Sequence, residues 1–101
     1  MISIIFPVFN NSKSLHELVK RTKQNIEKIT NEYEILLIDD LSKDNSWNYI
    51  CNLSKDKKIK GIKLKKNFGQ HKAIYVGLKY SIGNTIIIMD ADLQDNPNKI
   101  L

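Results

Sequence analysis

The densest run of reactive side chains is Asp90-Ala91-Asp92-Leu93-Gln94-Asp95, between the apolar stretch Thr85-Ile86-Ile87-Ile88-Met89 and Asn96-Pro97. A β-branched stretch of that length predicts a buried strand. The acidic cluster then falls at a strand's carboxyl end, where open α/β sheets bind ligands. Carboxylates at i and i+2 of extended chain point to one side, and the small Ala91 between them lets a charged ligand approach. Hard oxygen donors in this arrangement suit Mg²⁺ or Mn²⁺, which are commonly held by one or two carboxylates and the phosphates of a substrate. The same residues also suit a solvated acidic turn before a helix, with Asn96 as N-cap and Pro97 in the first helical position.

The rest of the chain alternates regularly between apolar runs and helical patterns. Strands are predicted over 2–8, 33–38, 60–64 and 85–89, each apolar and stopped by Pro, Asn, Asp or Gly. Ser12 or Ser14 can cap a first helix running to about Ile29, with Leu15, Leu18, Val19, Ile26 and Ile29 near helical spacing. Ser42 can cap a second helix with Trp47, Ile50, Cys51 and Leu53 on one side. A third carries Ala73, Ile74, Val76, Gly77, Leu78 and Ile82 and is closed by Gly83-Asn84. Strands alternating with helices imply an α/β fold with a parallel sheet and right-handed crossovers. The polar loops Phe9-Asn10-Asn11, Asp39-Asp40 and 90–95 then share one sheet edge, and a nucleotide-sized ligand laid across it could touch all three.

A length of 101 residues allows one domain, and 42% apolar residues suffices for a core. The longest apolar runs fall far short of the roughly 20 residues that span a bilayer. Met1-Ile2-Ser3-Ile4-Ile5-Phe6 has no basic leader or small-residue cleavage site, so the expected setting is cytoplasmic. The lone Cys51 offers no disulfide framework and is expected as a packed core thiol in a reducing compartment. The net charge of +5 comes mainly from Lys55, Lys57, Lys58, Lys60, Lys63, Lys65 and Lys66. These alternate with Ile59, Ile62 and Leu64 as on a solvated strand. Aromatics are not interleaved among them, so no nucleic-acid partner is expected.

Four segments together resemble family 2 glycosyltransferases of the GT-A fold, a Rossmann-like, mostly parallel sheet flanked by helices. They are Phe6-Pro7-Val8-Phe9-Asn10-Asn11, Ile38-Asp39-Asp40-x-Ser42-x-Asp44, Asn67-Phe68-Gly69 and Asp90-Ala91-Asp92. The extended Asp90-Ala91-Asp92-Leu93-Gln94-Asp95-x-Pro97 looks most like the branch of dolichyl-phosphate mannose synthase and bacterial polyprenyl-phosphate glycosyltransferases. The resemblance implies a UDP- or GDP-linked sugar whose base sits near Pro7, Phe9 and the Asp39-Asp40 pair, with Asn11 also among the nucleotide-sugar-binding residues. Asp40 is the favoured acceptor for a base N–H, with Asp39 close behind. Asp90, Ala91 and Asp92 would meet the donor diphosphate, and Asp90, Asp92 and Gln94 would hold the Mg²⁺ or Mn²⁺.

Lys72 could add charge beside the diphosphate or be an ordinary solvated helix lysine; His16 and His71 are expected to be inert. Two departures from the family pattern stand out: Phe9-Asn10-Asn11 replaces the usual Tyr-Asn-Glu, and Lys66 replaces an arginine, keeping charge but losing bidentate phosphate geometry. The resemblance makes residues 1–101 the N-terminal nucleotide-sugar-binding part of a glycosyltransferase domain, truncated after the fourth strand. The acceptor half, and any catalytic base or membrane-associating segment, would lie beyond it. The acceptor would be a lipid phosphate or a glycan, and an exposed sheet edge could pair two copies. A receiver-like Mg²⁺-binding signalling domain and a non-catalytic nucleotide-binding module are the competing readings.

Overall fold

A computed structural model of the chain describes residues 1–91. Strands and helices alternate as β1 (Ile2–Val8), α1 (Ser12–Ile26), β2 (Tyr33–Asp39), α2 (Ser46–Leu53), β3 (Ile59–Lys63), α3 (Gln70–Tyr80) and β4 (Thr85–Ile88). The sheet order is β3-β2-β1-β4, and every pairing is parallel. β2 is buried along its whole length, as expected of a parallel strand covered on both faces.

The pleat divides the core in two. Ile4, Phe6 and Val8 of β1 point toward Leu15, Leu18 and Ile26 of α1 and Ile50 of α2, whereas Ile5 points with Leu36 and Ile38 toward Ala73 of α3. Helix α3 sits close to the sheet because residue 77 is glycine: a Cβ there would fall 2.6 Å from Cγ2 of Ile5.

A polar cluster fastens the amino end of the sheet. The Ser3 hydroxyl and the Ile82 amide both donate to Oε2 of buried Glu34, at 2.6 and 2.7 Å, and Lys60 Nζ lies 2.8 Å from its Oε1. The Gly83 amide in turn donates to Ser3 Oγ at 2.8 Å, which ties the α3–β4 connection to β1. Burial pushes the Glu34 carboxyl up, but Lys60, Ser3 and the Ile82 N–H outweigh it and hold the group below its usual value.

The strand order places β1 between β2 and β4, the arrangement of dinucleotide-binding sheets. Receivers share the flavodoxin-like order, in which β1 lies between β2 and β3. The receiver-like reading is therefore excluded by topology. Because β2 and β3 build outward on one side of β1 and β4 is added on the other, a crevice opens between the carboxyl ends of β1 and β4.

Several local expectations shift. Helix α1 closes at Ile26, and the turn after it leaves Ile29 exposed. Helix α2 starts at Ser46 with Asn45 as its cap, because Ser42 is engaged elsewhere. Cys51 is exposed, not a core thiol: Ser46 and Ile50 form the buried stripe of α2, and the next residue is rotated about 100° away from it. Helix α3 ends at Tyr80, with Ala73 and Gly77 as its buried positions, while Leu78 and Ile82 face outward.

Candidate functional site

A cleft of about 340 Å³ occupies the β1–β4 crevice. Pro7, Val8, Phe9 and Asn11 line it from the end of β1, Asp40 from the end of β2, Asn67, Gly69 and Gln70 from the start of α3, and Asp90 and Ala91 from the end of β4. Apart from Pro7 and Val8 of β1 and Gln70 of α3 the lining comes from loops, so its shape depends on how the loops are fastened to one another.

The first two loops are stitched by side-chain oxygens. Asp39 is fully buried and accepts from the Ser42 amide and hydroxyl. Ser42 Oγ accepts from the Asn10 amide at 3.0 Å, and Asn10 Oδ1 accepts from the Lys43 amide at 2.8 Å. Asn10 and Leu41 both sit at φ 55°, and the left-handed Leu41 reverses the chain directly after Asp40. Asn11 donates its amide to Ser46 Oγ at 2.9 Å, while its Oδ1 receives the Phe9 amide at 2.8 Å. Asp44 accepts the amides of Ser12 and Ser46 at 3.2 and 2.9 Å. Partial burial raises the Asp44 carboxyl, but hydrogen bonds from Ser46 and Ser12 prevail and hold it below the usual carboxylate value. The Asp-Asp-x-Ser-x-Asp stretch is thus largely a loop-fastening device.

Asp40 reaches the third loop. Its Oδ1 accepts from the Phe68 amide at 2.8 Å and its Oδ2 from the Gly69 amide at 2.9 Å. Gly69, the residue before α3, has φ 91° and ψ 166°, a conformation suited to glycine. Asp40 therefore does two things: it presents a carboxylate to the cleft and anchors the loop that forms the opposite wall. Each of its oxygens has two lone pairs, so a ligand donor can share either one. Across the cleft, Gln70 Nε2 donates to Asp90 Oδ1 at 2.8 Å and orients that carboxylate. Ala91 is buried, with its carbonyl 3.3 Å from Ser14 Oγ.

Of the residues singled out from sequence, Pro7, Phe9, Asn11, Asp40, Asp90 and Ala91 come together in one cleft. Asp39 lies beneath it, committed to Ser42. Lys72 projects from the far side of α3, its Nζ 5.9 and 5.1 Å from the ring centres of Phe68 and Tyr75. Asp92 and Gln94 lie outside the described residues, as do Asp95, Asn96 and Pro97. Among the described residues no group of three His, Cys, Asp or Glu side chains is arranged to hold a metal; Asp90 is the predicted ligand that falls within them. Val8, Asn67, Gly69 and Gln70 were not assigned roles from sequence. Asn67 and Gly69 belonged to a recognised motif, but Gln70 carried no signal of its own.

The cleft offers an apolar wall at Pro7 and Phe9, a buried carboxylate beside it, and backbone and amide groups at the positive end of α3. Such a surface can hold a planar, hydrogen-bonding base joined to an anionic group. Residues 3–101 match the model of glycosyl transferase family 2. The chain belongs to that family. Among solved structures, S. aureus TarS residues 1–349 is 29% identical with a TM-score of 0.78, and 90% of this chain covers 27% of that one. The same protein in complex with UDP-GlcNAc gives 31% identity and a TM-score of 0.77, with 90% of this chain covering 26% of it. The mannosyltransferase PcManGT from Pyrobaculum calidifontis, in complex with GDP-Man and Mn²⁺, superposes at a TM-score of 0.81 with 17% identity over 90% of this chain and 27% of its own, a likeness of fold. The fold of this chain is GT-A-like, and it spans about a quarter of each of these neighbours.

Proposed function

We propose that the cleft receives the nucleotide of a UDP- or GDP-linked sugar and that the complete domain transfers the sugar to an acceptor. The observation that carries this reading is the convergence of Pro7, Phe9, Asn11, Asp40, Asp90 and Ala91 on one cleft at the sheet's topological switch point. The TarS complex with UDP-GlcNAc and the mannosyltransferase complex with GDP-Man add support. The base stacks against Pro7 and Phe9, and Asp40 accepts one of its N–H groups.

The oxygen-donor chemistry of Asp90, followed two residues later by Asp92 and then Gln94, fits Mg²⁺ or Mn²⁺. Such an ion, when bound, stabilises the charge that builds on the departing diphosphate. Gln70 fixes the orientation of Asp90 before the ligand arrives, so less ordering is left to binding. By resemblance, the acceptor is a polyprenyl phosphate or a glycan and the transfer inverts configuration; an acceptor that is already an anionic phosphate needs no protein base. In this reading the protein works at the cytoplasmic face of a membrane.

Calorimetric titration with UDP-sugars and GDP-sugars, with and without Mn²⁺, tests the reading. Saturable binding of one nucleotide class, tightened by Mn²⁺, is expected. Heats at the level of dilution for both classes would refute it. Residues 1–101 alone should bind donor yet transfer nothing, and transfer of radiolabelled sugar by this chain above a metal-only background would overturn the assignment of the acceptor site to a further half.

A further inference from the structure

The face of the molecule opposite α1 has a composition that the cleft does not explain. Between Asp56 and Asp90 the chain contains eight lysines and no acidic residue. Folding gathers Lys65, Lys66, Lys72 and Lys79 around a groove of about 430 Å³ between the end of β3 and α3, with Ile62, Leu64 and Val76 among its lining. Lys63 stands at its rim with its Nζ turned toward Trp47 of α2, 5.7 Å from the ring centre. Among the described residues none of these lysines pairs with a carboxylate. Phe68, Tyr75 and Tyr80, also in the lining, are 51–59% exposed, and Leu78 and Ile82 from the same helix and its exit are 43% and 68% exposed.

Lysine on β3 alone would be unremarkable, because charge blunts a free sheet edge against mispairing. That account does not reach Lys72 and Lys79 on α3, nor the exposed rings and aliphatic chains beside them. We propose that this face docks on the surface of a lipid bilayer rich in anionic headgroups, with the lysines at the phosphate level and Phe68, Tyr75, Tyr80 and Leu78 entering the headgroup–acyl boundary. Charge complementarity favours an anionic partner, and the mixture of aliphatic with aromatic side chains favours a bilayer over nucleic acid. Base stacking also needs open ring faces, whereas Lys72 Nζ lies over Phe68 and Tyr75 and Lys79 Nζ over Tyr80, 5.9 Å from its centre. Long basic side chains on an interfacial helix instead keep their ammonium groups at the phosphates while their stems and neighbouring rings cover apolar surface.

The test is flotation of the full chain with vesicles of phosphatidylcholine alone or mixed with phosphatidylglycerol. Binding to the anionic vesicles only, declining with salt, is expected. At about fivefold per lysine near such a surface, the Lys65→Gln/Lys66→Gln/Lys79→Gln variant should lose roughly a hundredfold in partitioning. Lys13→Gln/Lys20→Gln/Lys28→Gln removes the same charge from the other side of the sheet and should lose only a few-fold. Tyr75→Ser/Tyr80→Ser should bind anionic vesicles at low salt but release them at lower salt than the parent chain. Equal losses for the two lysine variants, equal binding to neutral vesicles, or salt-sensitive binding to a single-stranded oligonucleotide without vesicle binding would each overturn the proposal. Circular dichroism of every variant establishes that it is folded.

Discussion

Replacing Asp40 with alanine separates a carboxylate that merely touches ligand from one that also builds the cleft. Asp40 is almost wholly buried and receives two backbone amides, Phe68 at 2.8 Å and Gly69 at 2.9 Å. Hydrogen bonds to a charged acceptor contribute about 1.5–3 kcal/mol each. Phe68 is half exposed, so amides released by Asp40→Ala can regain water, and the low end of that range applies. A combined loss of about 3 kcal/mol is expected, equivalent to roughly 12–24 °C in Tm for a domain of this size.

Urea unfolding followed by circular dichroism measures the loss, and amide hydrogen exchange locates it at Phe68 and Gly69. Asp40→Asn should fall between parent and alanine variant, since one oxygen still accepts while the new amide group meets an N–H donor. Affinity for uridine and guanosine nucleotides should fall with Asp40→Ala even without metal. A stability change below about 0.5 kcal/mol with unaltered exchange at Phe68 and Gly69 would refute the anchoring role. Unchanged affinity for both nucleotides would move the base elsewhere.

Asp92→Asn should abolish Mn²⁺-dependent nucleotide binding, because Asp92 completes the i, i+2 pair with Asp90, whereas Asp95→Asn should weaken it less; calorimetry showing equal losses would defeat the assignment. The carboxyls of Glu34 and Asp44 are held below their usual values by their partners, so their stabilising effect is present above the ordinary carboxylate range of about 4–4.5 and is lost as pH falls through the lower folded values. The urea midpoint should therefore decline on acidification, and Glu34→Gln should flatten that decline; a parallel profile in the variant would exclude Glu34 as a contributor. Gly77→Ala places a methyl 2.6 Å from Ile5 Cγ2 and should cost about 1–3 kcal/mol by urea unfolding, while Gly69→Ala meets open space and should cost about 1–3 kcal/mol through its backbone conformation of φ 91° and ψ 166° alone. Equal affinity of the Gly69→Ala chain for nucleotide would show that the α3 entry tolerates the strain without reshaping the cleft.

Periodicity and punctuation in the sequence were sufficient for the elements and for the edge on which the site lies. Short β-branched apolar runs closed by Asn10-Asn11, by Asp39-Asp40 and by Asp90 read as strands ending in polar loops, and a parallel sheet brings all such ends to one side. Helix ends were less legible, because the turn after Ile26 and the engagement of Ser42 by Asp39 arise from contacts made after folding. The distinction between Asp39 and Asp40 was likewise closed to sequence. Neighbours at a strand end point to opposite sides, and only the packed sheet determines which one sinks toward Ser42 and which faces the crevice. Gln70 and Asp90 are 20 positions apart and meet because β4 pairs with β1, not with β3. The packing of α3 on the sheet through Ala73 and Gly77 turns Lys72 away from the cleft and gathers lysines and rings from β3, the following loop and α3 into one face. Local pattern determines which segments form and where they stop, but the contacts that give a polar side chain its role are made by strand order and helix packing, which no short window of sequence contains.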